Sequence, residues 1–151
     1  MKGVGMLREW FQSFWQSKKR EPSLVKVLII EDNRVDAKII EKAVDVCGFN
    51  SLVAYDGRTG FEMAQKHKPD LVVLDYHLPD TNGGQVLEKL RTTKETSSET
   101  VMVLSAFSQP GVILDSFAHG ADQYFTKPIS ISLLAKEIRL MLHYPHQVRC
   151  N

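Results

Sequence analysis

The chain has 151 residues, 43% of them apolar and 25% charged, a composition that fits one globular core of ordinary size. Its net charge of +1 leaves no general electrostatic footprint for nucleic acid, and Cys47 and Cys150 match neither a disulfide framework nor a zinc spacing, which suits a reducing, cytoplasmic setting. No apolar run approaches the roughly 20 residues needed to cross a bilayer, and no signal peptide is legible at the N-terminus.

The near-neutral total hides an asymmetry. Residues 1–20 hold Lys2, Arg8, Lys18, Lys19 and Arg20 against Glu9 alone, so this segment carries +4 and the remainder −3. Leu7, Trp10, Phe11, Phe14 and Trp15 recur at helical spacing and give one strongly aromatic face, followed by a basic run and a break at Glu21-Pro22-Ser23. Residues 1–22 therefore read as an amphipathic, basic extension. Its face is expected to dock on protein, with an anionic membrane surface as the second reading.

From residue 23 the pattern changes to short apolar runs alternating with stretches of helical period, the sign of repeated βα units and a parallel sheet. Strands are expected near 25–30, 51–54, 71–74, 101–104 and 122–126, and helices near 34–47, 58–67, 84–91, 109–118 and 131–142. Val35, Ile39, Ala43 and Val46 form one stripe on the first helix, and Gly48 stops it as a C-cap. Ile131, Leu134, Ile138 and Met141 are expected to face inward on the last, whose N-cap is Ser130 or Ser132. Leu133 and Leu140 fall outside that stripe. The sum is an α/β, doubly wound domain over 23–143, with 144–151 as a tail.

The ends of the strands carry the chemistry. Glu31 and Asp32 follow the first apolar run, Asp75 the third, Ser105 the fourth, and Lys127 closes the fifth. In an open parallel sheet the carboxyl ends of the strands line one rim, where ligands bind. Three acids, a hydroxyl and a lysine on that rim suit a divalent metal and a phosphoryl group.

These residues resemble the receiver domain of two-component response regulators. The likeness covers about residues 24–142 and rests on Ile30-Glu31-Asp32-Asn33, on Asp75 followed by Leu78-Pro79-Asp80 and Gly83, on Ser105-Ala106, and on Gly120-Ala121-Asp122-Gln123-Tyr124 before Lys127-Pro128. It implies a flavodoxin-like (βα)5 fold with strand order 2-1-3-4-5. It also implies that Asp75 accepts a phosphoryl group from the phosphohistidine of a histidine kinase or histidine phosphotransfer protein. Asp32 and Asp75 would bind Mg²⁺ directly, Glu31 through water, and the backbone carbonyl of His77 would complete the protein's share. Lys127 and Ser105 would contact the phosphoryl group. Tyr124 would swing inward as Ser105 moves, relaying the event to the helix 4, strand 5 and helix 5 face, where a downstream protein binds.

His77 and Phe107 occupy variable positions that tune phosphoryl lifetime in this family, and His77 alone reads as a solvent-facing loop residue. No output domain is expected after residue 143, and no nucleic-acid contact or enzymatic turnover beyond the chain's own phosphotransfer and dephosphorylation. The rival reading is a Mg²⁺-dependent phosphohydrolase of haloacid-dehalogenase type, which also forms an aspartyl-phosphate. That family carries a second aspartate two residues after the nucleophile, where this chain has His77.

Overall fold

The computed structural model describes residues 5, 6, 9 and 21–143. After a 3₁₀ turn at Pro22–Leu24, the chain alternates β1 (Lys26–Ile30), α1 (Arg34–Val46), β2 (Asn50–Ala54), α2 (Gly57–His67), β3 (Leu71–Leu74), α3 (Gly83–Thr92), β4 (Thr100–Ser105), α4 (Pro110–Ala118), β5 (Gln123–Thr126) and α5 (Ile131–His143). All strand pairs are parallel, in the order β2-β1-β3-β4-β5. The strands and helices expected between residues 23 and 143 are all present, shifted by a residue or so at their ends.

The central strands β1, β3 and β4 are buried on both faces, which is why they read as nearly unbroken apolar runs, while the edge strands β2 and β5 are largely half-buried. Val27, Ile29, Leu71, Val73, Met102 and Leu104 pack with α1 and α5. Leu28, Ile30, Val72, Leu74, Val101 and Val103 point the other way, into a second layer with α2 and α3. The period of two along each strand divides one sequence run between two cores.

Side-chain caps begin most of the helices. Asn33, Asp56 and Asn82 accept from first-turn amides of α1, α2 and α3. Ser130, not Ser132, caps α5, accepting from Leu133 N–H at 3.1 Å. Gly48, at φ +76°, follows the C-cap of α1 in the left-handed conformation that glycine adopts at least cost.

Two apolar stripes differ from expectation. Val35, Ile39 and Val46 are 70%, 38% and 48% exposed; only Ala43 of that stripe is buried, and α1 instead buries Ala37, Ile40, Ala43 and Val44. The core face of α1 thus joins two alanines, which let the helix sit close to its neighbours, to Ile40 and Val44. On α5, Leu134, Ile138 and Met141 are buried as expected, but Ile131 is 36% exposed in the first turn, and Leu133 and Leu140 do lie at the surface.

Helix α4 is only shallowly seated, with Val112 packed on the second layer. Ser116 is its one buried residue, donating its hydroxyl to the Val112 carbonyl at 2.9 Å, while Leu114 and Phe117 are exposed. Gly5, Met6 and Glu9 are helical; the expected aromatic face of Leu7, Trp10, Phe11, Phe14 and Trp15, and the tail 144–151, lie outside the described residues. Among the described residues, no helix is long and apolar enough to cross a membrane.

Candidate functional site

The carboxyl ends of β1 and β3 lie side by side, and the turn that follows each is pinned by the neighbouring strand. Glu31 N–H donates to the Ala54 carbonyl at 3.0 Å, and Asp75 N–H to the Ile30 carbonyl at 2.9 Å. Glu31 is 1% and Asp75 9% exposed, while Asp32 faces solvent at the mouth. One carboxylate oxygen from each of the three lies within 4.8 Å of the others. Such a set of hard oxygen donors, two sunk and one exposed, fits a small divalent cation that keeps part of its water. An antiparallel bridge joins His77 to Asn82 through the neighbouring bonds Gly83 N–H to Tyr76 carbonyl, 2.7 Å, and Leu78 N–H to Thr81 carbonyl, 3.3 Å. The His77 carbonyl stands outside that pairing.

Lys127 reaches the cluster from the end of β5, where its own N–H donates to the Ser105 carbonyl at 2.8 Å. Its ammonium donates to Glu31 Oε2 at 2.6 Å, to Asp36 Oδ2 at 2.8 Å and to Asp75 Oδ2 at 3.5 Å. Burial disfavours the charged lysine, but the bonds to Asp36 and Glu31 outweigh it and hold the ammonium above the usual lysine range. Burial pushes the Glu31 carboxyl up to about 7, against the pull of Lys127 and with the repulsion of Asp75. Asp36 is the residue that strand-end reasoning missed. It lies in the first turn of α1, three residues after the Asn33 cap that follows the acidic pair, and that closeness to the strand end is the signal that could have found it.

Ser105 is fully buried and accepts from Phe107 N–H at 3.4 Å. Tyr124 is half-buried and donates to the Phe107 carbonyl at 2.7 Å, so its hydroxyl is already tied to the loop between β4 and α4. The His77 ring is exposed yet not free: it stacks on Phe107, centroids 4.1 Å apart and planes at 23°. Asp80 takes no part in the acid cluster. It accepts from Gly57 N–H at 2.8 Å and Arg58 N–H at 2.9 Å, fastening the loop after β3 to the start of α2, and the Gly57 bond lowers its pKa.

Comparison with known proteins agrees with this geometry. The family model described as response regulator receiver domain matches residues 27–139. The chain belongs to the response regulator receiver family. It is 36% identical over 118 residues to the probable transcriptional regulatory protein TcrX of Mycobacterium tuberculosis, covering 78% of this chain and 50% of that one. It is 28% identical over 116 residues to the polar-differentiation response regulator DivK of Brucella anthropi, covering 77% and 94%. This receiver therefore spans about half the length of some curated relatives and nearly all of others. A CheY-like receiver domain from Methanospirillum hungatei superposes with a TM-score of 0.76 at 22% identity, covering 83% of this chain and 98% of that one, a likeness of fold alone.

Family membership settles the two readings the sequence left open in favour of a receiver in two-component signalling over a haloacid-dehalogenase phosphohydrolase. Receiver domains bind Mg²⁺ in an acidic pocket, and Glu31, Asp32 and Asp75 form such a pocket here. They also exchange signals with histidine kinases and downstream proteins.

Proposed function

We propose that Asp75 is the phosphoacceptor of this receiver. The observation that carries the reading is the convergence on one buried carboxylate of two further acids, a lysine ammonium and, from the neighbouring strand end, a buried hydroxyl. An Asp75 carboxylate oxygen attacks phosphorus, the new P–O bond forms as the P–N bond of the donor phosphohistidine breaks, and the imidazole leaves. Asp32 and Asp75 would hold Mg²⁺ directly, Glu31 through water and His77 through its carbonyl; bound there, the ion screens the charge of donor and nucleophile. Lys127 and Ser105 supply donors to the transferred group.

The same reading takes residues 23–143 as the receiver and gives it no chemistry beyond its own phosphotransfer and hydrolysis. Output passes through Ser105 and Tyr124 to α4, β5 and α5. The outward Leu114 and Phe117 on α4 and Leu133 and Leu140 on α5 supply apolar surface on that side for a protein partner. The basic aromatic extension, residues 1–22, is a docking segment for protein.

Intact-mass measurement after treatment with acetyl phosphate and Mg²⁺ tests the assignment. One added phosphoryl group is expected in the native chain and none in Asp75→Asn. Full labelling of that variant would move the acceptor elsewhere.

A further inference from the structure

Lys127 rests more closely on two other carboxylates than on the nucleophile. Its two short bonds go to Glu31, 2.6 Å, and Asp36, 2.8 Å, and Asp75 stands at 3.5 Å, the outer limit of a hydrogen bond. An ammonium has three donors and no acceptor, so all three carboxylates can be served at once, but the two short bonds fix where the nitrogen sits and leave Asp75 the long one. Asp36 is well placed to compete. Its backbone N–H is fixed by the Asn33 cap at 3.1 Å, and its carboxylate sits in the first turn of α1, where the helix dipole favours negative charge. Lys127 is 15% exposed at its side chain and Asp36 34%, so the contact is only partly screened by water.

We propose that Asp36 is a positioning residue that parks the Lys127 ammonium away from Asp75 and so sets the threshold of the switch; this rests on the reading of Asp75 as phosphoacceptor. A phosphoryl group brings close to two negative charges and three acceptor oxygens. It draws Lys127 across the site, and the Asp36 bond is the one given up, because the shorter bond to Glu31 comes from the β1 end, directly beside Asp75. Asp36 therefore opposes the phosphorylated arrangement. Before phosphorylation, it also leaves the Asp75 carboxylate less neutralised and more open to attack phosphorus.

Beryllofluoride with saturating Mg²⁺ is the probe, read by amide shifts at Ser105 in the full chain. Asp36→Asn and Asp36→Ser are both expected to bind it about fivefold more tightly, the low end of typical coupling for a partly exposed pair. Asp36→Glu, which restores the charge, should return to the native value. A general gain in attraction for anions would fade at about 0.5 M KCl, where exposed charges are screened within a few ångströms; release of a contacting lysine persists. Native affinity in the two neutral variants, a gain lost at high salt, or equal gains in Asp36→Glu and Asp36→Asn each overturn the role of Asp36 while leaving the phosphoacceptor reading intact. If the native chain itself does not respond to beryllofluoride, the phosphoacceptor reading falls and this inference with it.

Discussion

The two ends of the sheet each carry a cation among acceptors, but they are built to opposite purposes. At the carboxyl end one ammonium, Lys127, touches three carboxylates, with Asp32 beside them at the mouth. At the amino end Arg91 is held mainly by neutral groups: the Gly120 carbonyl at 2.8 and 3.0 Å, that of Glu99 at 2.8 Å and that of Ser97 at 3.3 Å, with the Asp122 carboxylate at 3.1 Å. Asp122 in turn accepts from Val101 N–H at 2.8 Å. The amino end is a closed staple that joins α3 to the loops before β4 and β5. The carboxyl end has negative charge to spare, which is energetically sensible only where a cation and an anion are to arrive.

Breaking the staple should cost most. Arg91→Leu strands the carbonyls it holds and takes the countercharge from Asp122, and removing one member of a buried pair costs about 3–5 kcal/mol. Urea unfolding checks this, and a loss below about 1 kcal/mol would show that the network is ornamental. Gly120, at φ +101°, belongs to the same device, since a Cβ there would meet Arg91 Cγ at 2.8 Å.

A smaller effect comes from Glu99, the one discordant group at this end. Both its carboxyl oxygens are buried without a hydrogen-bond partner among the described residues, and burial pushes its pKa up to about 7, against the attraction of Arg91. With the folded value above the unfolded one, the folded state keeps its proton longer, so stability falls as pH rises from about 4.5 to 7. The stability gap between Glu99→Gln and the native chain should accordingly widen in favour of the variant across that window. The change is at most about 3.5 kcal/mol, because each tenfold difference in proton affinity between the folded and unfolded states is worth about 1.4 kcal/mol. Glu31 titrates in the same direction in both proteins, so the difference isolates Glu99. A gap constant from about pH 4 to 8 would contradict the orphaned-carboxyl account.

The smallest effect belongs to the outer side of α4. Leu114 is 69% exposed, so Leu114→Ser should move stability by less than about 0.5 kcal/mol. A loss above about 1.5 kcal/mol would mean that α4 is held by its apolar side and has none to offer a partner.

The carboxyl end was also the more legible in sequence, for a physical reason. Glu31, Asp32, Asp75, Ser105 and Lys127 each stand at the end of a strand, most of them closing a run of Val, Ile and Leu, and a parallel sheet must bring such termini together. Asp36 escaped because it stands on a helix, where a lone acid in the first turn reads as a favourable charge at the dipole. The exposed stripe of α1 misled because a helical period can mark two faces, and here Ala37, Ile40, Ala43 and Val44 line the inner one. The role of Arg91 was hidden because backbone carbonyls, its main partners, leave no trace in a sequence. The stacking of His77 on Phe107 depended on the approach of two loops, which periodicity does not encode.

A two-dimensional amide spectrum of the full chain, recorded with Mg²⁺ before and after beryllofluoride, tests the contrast between the two ends most directly. Large shifts are expected at Asp32, Asp75, Ser105, Tyr124 and Lys127, continuing into α4, with Arg91, Gly120 and Asp122 almost unmoved. Silence at Asp75 and Ser105, or shifts at the amino end as large as those at the carboxyl end, would contradict that division.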